Sequence, residues 1–256
     1  PSNSSAASDV YKRQILYSNC ASIRGAGLKR SEEVLIKQLR RYYRKHGNNG
    51  YIVLFDAKSY FDSIPHENII ADIANLFYDP DIIRLYQEFM GAFDSIHPEC
   101  QKGRGLGLGS QTSQISGVMA ANPVDHFIAE MFPLEYGNGR FMDDSEVIVK
   151  DKISARLAIK AVSILYNRYG LMLNKKKTKA VPLNHPFIFL KRKVIVRDSG
   201  KIIMTPTAAT IKRERKRLRL HKRYLMEKRM TAEEIREQYI SFRRQNEKYS
   251  LSLIHI

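Results

Sequence analysis

Arg140-Phe141-Met142-Asp143-Asp144 places two adjacent carboxylates between apolar residues, and Val147-Ile148-Val149 follows at once. The pattern predicts two short strands joined by a tight turn, with the acids at its tip. Adjacent carboxylates repel, so a fold that half-buries them needs a countercharge, and a divalent cation supplies one. A solvated turn also uses Asp, so the pair alone leaves both readings open. A third acid, Asp56, ends the apolar run Tyr51-Ile52-Val53-Leu54-Phe55, which reads as a central buried strand. Three acids at two strand tips can bind two hard divalent ions, and two such ions can drive phosphoryl transfer.

The elements that must position these acids follow from periodicity and punctuation. Ser31 is the expected N-cap of a helix whose apolar face carries Val34, Leu35, Leu39 and Tyr42, with Gly47 ending it. Helices are expected from Ser63-Ile64-Pro65-His66 through Phe77, from Asp81 to Phe93, from Thr112 to Met131 and from Ile153 to Tyr169, the last closed by Gly170. Phe187 to Val196 and Lys201 to Thr205 read as a hairpin across Asp198-Ser199-Gly200. A very basic helix starts near Ala208, and Thr231-Ala232-Glu233-Glu234 opens another. The order is α+β, with antiparallel pairing around the acidic hairpin.

The chain has 256 residues, a net charge of +17 and a pI near 9.8. That excess of Lys and Arg points to a polyanionic partner, most simply nucleic acid. Arg213, Arg215, Lys216, Arg217, Arg219, Lys222 and Arg223 crowd one helix and suit a phosphate backbone, although a solvated basic helix has the same composition. Two cysteines, Cys20 and Cys100, exclude a disulfide framework or a zinc cluster. No apolar run approaches membrane-spanning length, so no membrane partner is expected and the cytoplasm is the default compartment. Gly103-Arg104-Gly105-Leu106-Gly107 lacks a Gly-Lys-Ser/Thr ending and a preceding strand, so it is not a nucleotide P-loop. Residues 1–14 and 251–256 resemble translated adapter sequence and are set aside as non-native scars, so the natural chain is expected to be longer.

Five stretches occur in order: Asp56-Ala57-Lys58-Ser59-Tyr60-Phe61, Gly107-Leu108-Gly109-Ser110-Gln111-Thr112-Ser113-Gln114, Phe141-Met142-Asp143-Asp144, Gly170-Leu171-Met172-Leu173-Asn174 with Lys177, and Phe189-Leu190. Together they resemble the successive palm motifs of reverse transcriptases, in the bacterial and phage group that includes retrons, group II intron proteins and diversity-generating elements. The resemblance covers about residues 15–250. It implies a right-hand polymerase with partial fingers at 15–50, a palm with its primer-grip hairpin at 51–205, and a basic helical thumb at 206–250.

It also implies roles. Asp56, Asp143 and Asp144 match the metal-binding acids, for two Mg²⁺ ions with Mn²⁺ as a substitute. Lys177 matches a lysine near the leaving pyrophosphate. Phe61 matches the aromatic that excludes a ribose 2′-hydroxyl, Leu108 and Gly109 the nucleotide-site loop, and Arg24 a triphosphate contact in the fingers. Phe189 and Leu190 match the primer grip. Lys191 stands where the family's grip has glycine, and Leu108 where it commonly has Gln; Leu108 with Ser113-Gln114 is similar to diversity-generating enzymes and tilts the expectation toward low-fidelity synthesis. The implied partners are an RNA template, a DNA primer and product, dNTPs, and in some systems a dedicated noncoding RNA or accessory protein. A non-catalytic nucleic-acid-binding remnant and a template-independent DNA polymerase of a phage-defence system are the alternatives.

Overall fold

The computed structural model describes residues 15–96, 101–107, 109–131 and 137–246. The chain divides into two compact units, residues 1–183 and 184–256.

The first unit is built on a four-stranded antiparallel sheet in the order β2-β3-β1-β4, formed by β1 (Tyr51–Asp56), β2 (Asn138–Phe141), β3 (Asp144–Val149) and β4 (Lys179–Pro182). The central position of β1 explains why Ile52 to Phe55 are apolar without alternation: both faces are covered, and all four are buried. The β1–β3 ladder runs from Tyr51 opposite Val149 to Asp56 opposite Asp144.

Helix α1 (Leu28–His46) packs on β2 and β3, burying Val34, Leu35, Leu39 and Tyr42. Its N-cap is Gly27 rather than Ser31, which lies inside the helix and is buried. Gly27 has φ 99° and donates its N–H to the Cys20 carbonyl at 2.8 Å, so the chain can turn into the helix a full turn early. A one-turn α2 (Tyr60–Ser63), α3 (His66–Leu76) and α4 (Pro80–Ile96) follow β1.

The expected helix over 112–131 is two helices, α5 (Gln111–Ala120) and α6 (Asn122–Met131). Ala121 leaves helical geometry at φ −107°, ψ 3°, two residues before Pro123, whose ring opposes a continuous helix. Helix α7 (Lys152–Arg168) is capped by the Asp151 side chain, which accepts from the Ser154 N–H, and it packs on β1, β3 and β4. The main core joins Val53, Phe55, Val147 and Val149 to Ile69 and Ile73 of α3, Val118 of α5 and Val162 of α7.

The second unit has a three-stranded antiparallel sheet, β5 (Phe187–Phe189), β6 (Arg192–Val196) and β7 (Ile202–Pro206), followed by α8 (Ala208–Met226) and α9 (Ala232–Asn246). The expected strand over 187–196 is therefore a hairpin of its own. Leu190 and Lys191, at φ 48° and 61°, form a two-residue turn with positive φ at both positions, the geometry that matches strand twist. Phe187, Phe189, Val194, Val196 and Met204 form its apolar centre, and Arg192 on β6 bonds Asn246 on α9. Thr231 and Glu234 exchange hydrogen bonds as a capping box at the start of α9.

Candidate active site

The two acidic strand ends meet because the sheet brings them together. Asp144 stands directly across the ladder from Asp56, and opposite residues of an antiparallel pair share a face. Met142 and Asp143 form the turn between β2 and β3, Met142 at φ 57°. Asp56 is 8% exposed. Its Oδ2 accepts from the Lys177 ammonium at 3.0 Å, while its buried Oδ1 has no hydrogen-bond partner.

Lys177 reaches Asp56 because the segment after α7 runs along the end of β1. The Lys58 N–H donates to the Met172 carbonyl at 2.8 Å, and the Asn174 N–H donates to the Asp56 carbonyl at 2.8 Å. Asn174 then turns the chain, accepting from the N–H groups of Lys177 and Thr178. The Asp56 hydrogen bond, then the Asp56 charge and the fields of Asp144 and Asp143, hold Lys177 above its ordinary pKa. All three acids thus act on one exposed cation.

Beneath the turn lies a residue whose role sequence reading missed. Arg140 is 1% exposed; its Nε meets both carboxylate oxygens of Asp125 at 2.8 and 2.9 Å, its Nη2 donates to the Val118 carbonyl at 2.7 Å, and its Nη1 donates to the Met142 carbonyl at 3.1 Å. One guanidinium therefore ties the acidic turn to α5 and α6. Burial works against its charge, but the Asp125 carboxylate more than offsets that and leaves Arg140 above its ordinary pKa. The available signal was slight: Arg140 precedes Phe141-Met142 in a short strand, and an Arg there must find a carboxylate or carbonyls once it is buried. Glu146 on β3 is 1% exposed with neither carboxyl oxygen hydrogen-bonded, and burial pushes its pKa well up. Burial thus works against the charged form of Glu146.

Phe61 is half-buried on α2, and its ring lies against Gly117 of α5. Gly109, at φ 106°, precedes Ser110, whose Oγ caps α5 by accepting from the Ser113 N–H at 2.9 Å. Leu108 lies outside the described residues. Arg24 is exposed in the turns before α1, two residues from Ser22, which hydrogen-bonds Gln114 at 3.3 Å. That bond places the turn carrying Arg24 beside α5.

In the second unit Phe189 is buried in its own sheet and Leu190 is half-buried at the turn. Helix α8 buries Glu214 and His221, seven apart. Arg213, Arg215, Lys216, Arg219, Lys222 and Arg223 are exposed; Arg217 is half-buried and paired with Glu214 at 2.6 Å.

Residues 12–195 match the reverse transcriptase (RNA-dependent DNA polymerase) family. The chain belongs to that family. Its fold is also that of solved telomerases. Apo telomerase from Candida tropicalis, truncated from its C-terminal domain, matches at a TM-score of 0.55 and 14% identity, over 77% of this chain and 44% of that one. Telomerase from Candida albicans in complex with a TWJ fragment of telomeric RNA matches at 0.55 and 12%, over 78% and 35%. This reverse transcriptase chain thus spans less than half the length of those proteins. No curated protein matches it. Among the described residues no helix is long and apolar enough to cross a membrane.

Reverse transcriptases generally use divalent metal ions. Among the described residues no three His, Cys, Asp or Glu side chains are closed around a metal position. The donors nevertheless fit such an ion in kind: they are hard carboxylate oxygens, and the unpartnered Oδ1 of Asp56 is the buried acceptor a cation would satisfy.

Proposed function

We propose that the chain is an RNA-directed DNA polymerase that adds dNTPs to a primer 3′-end on an RNA template. The observation that carries this reading is the convergence of Asp56, the Asp143-Asp144 turn and Lys177, with Asp56 Oδ1 left without a partner, in a member of the reverse transcriptase family.

Asp56, Asp143 and Asp144 would hold two Mg²⁺ ions, with Mn²⁺ as a substitute. Those ions supply activation of the primer 3′-hydroxyl and charge neutralisation on the departing pyrophosphate. The acids' part is to fix that charge at the end of β1. Arg140 holds the turn that carries Asp143. Lys177 serves as the countercharge for Asp56, and its raised pKa keeps it an ammonium, a charge partner for the pyrophosphate. Phe61 screens the sugar of the incoming nucleotide, with Gly109 and Arg24 contributing to the nucleotide site. Phe189-Leu190 forms the primer grip, and the exposed cations of α8 follow the duplex backbone as a thumb, with residues 15–50 as fingers and 51–205 as palm. The motif order favours the bacterial and phage group, a cytoplasmic setting and, through Ser113-Gln114, low-fidelity synthesis.

Extension of oligo(dT) on poly(rA) should require Mg²⁺ or Mn²⁺ and fall to background in Asp143→Asn. Extension that survives this substitution removes Asp143 from the chemistry. Salt-sensitive duplex binding with no extension at all would instead make the chain a nucleic-acid-binding protein without turnover.

A further inference from the structure

Phe61 does not stand alone. Its ring rests on the backbone of α5 at Gly117, where an added Cβ would lie 2.9 Å from Cε1 and 3.2 Å from Cζ of the ring. Real Cβ atoms do not approach that closely, so any side chain at 117 must move the ring or the helix. The helix is not free to retreat. The neighbouring Tyr60 is 4% exposed, and its hydroxyl donates to the Gly117 carbonyl at 2.5 Å, clamping α5 to α2 at this residue. Tyr60 also braces Phe61 edge-on, with ring centroids 5.6 Å apart, and the Phe61 carbonyl accepts from the Leu106 N–H at 3.0 Å. Backbone and neighbours are held on three sides, so the Phe61 ring is the part that can yield.

We infer that Gly117 is a specificity-determining position of the nucleotide site: the absence of a side chain there lets the Phe61 ring recline on α5, and this sets the width left for the sugar of an incoming deoxynucleotide. The inference rests on the reading of Phe61 as the residue that screens the sugar. Gly117 acts through Phe61 and touches no reacting atom, so it is a positioning residue. A methyl at 117 drives the ring off α5 and into the slot, crowding the sugar of any nucleotide. The effect falls on nucleotide binding and not on the acids.

The test measures kcat and KM for dTTP and UTP on poly(rA)/oligo(dT), with the full chain and with Gly117→Ala, Phe61→Ala, Phe61→Leu and the double variant Phe61→Leu/Gly117→Ala. In Gly117→Ala the KM for dTTP should rise about tenfold, the usual scale of overpacking, with kcat kept within about twofold. In the Phe61→Leu background the same substitution should leave KM unchanged, because the ring it displaces is gone. A KM effect that persists in that background, or a loss confined to kcat, overturns the inference and leaves the Phe61 reading intact. Unchanged dTTP-over-UTP selection in Phe61→Ala overturns the Phe61 reading itself, and absence of extension by the unaltered chain overturns the polymerase reading beneath both. If Gly117→Ala does not fold, recovery of a cooperative melt in the double variant supports the contact. Failure of both to fold overturns it, since Gly117 would then be packed against something other than the ring.

Discussion

Arg140 and Asp125 illustrate how much one residue can carry at this site. Both are buried, and the guanidinium also serves the carbonyls of Val118 and Met142. Truncating one member of such a pair strands the other charge, at a cost of about 3–5 kcal/mol. Arg140→Ala should therefore lower stability on that scale in chemical denaturation, and Arg140→Lys should recover only part of it, because a point charge cannot serve a carboxylate and two carbonyls at once. Asp72 on α3 offers a different reading of burial, which raises its pKa from 3.8 to about 6. The native state therefore keeps a proton that the unfolded chain gives up first. As pH climbs from near 4 to near 6, that difference destabilises the fold, and beyond about 6 the penalty stays constant. Asp72→Asn removes it, so the variant should match the parent at pH 4 and melt about 2 °C higher at pH 7, a partly exposed carboxyl keeping the gain small. An equal or larger gain at pH 4 would contradict the burial account.

At the level of elements, the faces of α8 give a quantitative expectation. Glu214 and His221 point inward, so Lys212, Lys216, Arg219 and Arg223 fall on the opposite side of the helix, at spacings of four, three and four. Lys216→Ala with Arg219→Ala should weaken binding to an RNA–DNA duplex regardless of sequence, and should reduce the slope of log K against log salt by about 2. Arg217→Ala should change the slope less, because its guanidinium is engaged by Glu214. Titrations at several salt concentrations separate the two cases. This inward face also marks where reading the chain succeeded and where it stopped. The β1 run, the acidic hairpin, the Gly47 stop and the α7 helix were legible because each is fixed by local chemistry: burial on both faces, a turn, a left-handed glycine, a cap. On α8 the basic composition was legible, yet the buried residues are Glu214 and His221, because composition does not say which polar side chains pack inward. The break at Ala121 was missed although Pro123 stands two residues on, because Pro is also tolerated in the first turn of a helix. The turn at Leu190-Lys191 came only from the resemblance, since no glycine marks it locally. Asp56 and Lys177 were both singled out, but their 3.0 Å contact depends on the pairing of residues 172–174 with the end of β1, a long-range register invisible to spacing. Arg140 and Gly117 were hidden for the same reason: each matters only through a partner on a different element.

For the molecule as a whole, the two compact units each own a core, the first around β1 and the second around β6. Units of that kind unfold as separate cooperative blocks. Calorimetry should accordingly give a van't Hoff enthalpy below the calorimetric one, and duplex RNA–DNA should shift the transition of the basic second unit most. A single two-state transition with matching enthalpies would show that the units fold as one. The ladder that sets Asp56 opposite Asp144 has a consequence for how this family can change. Strand side chains alternate with period two, so inserting or deleting one residue in β1 or β3 would turn the acids to the other face of the sheet and, in the same stroke, exchange Val53, Phe55, Val147 and Val149 with the residues packed on the opposite face. Lineages can therefore lengthen the loops or replace Leu108 and Lys191 one letter at a time, but these two strands should tolerate no odd-length indel, and the reading frame of the sheet becomes an evolutionary lock on the position of the chemistry.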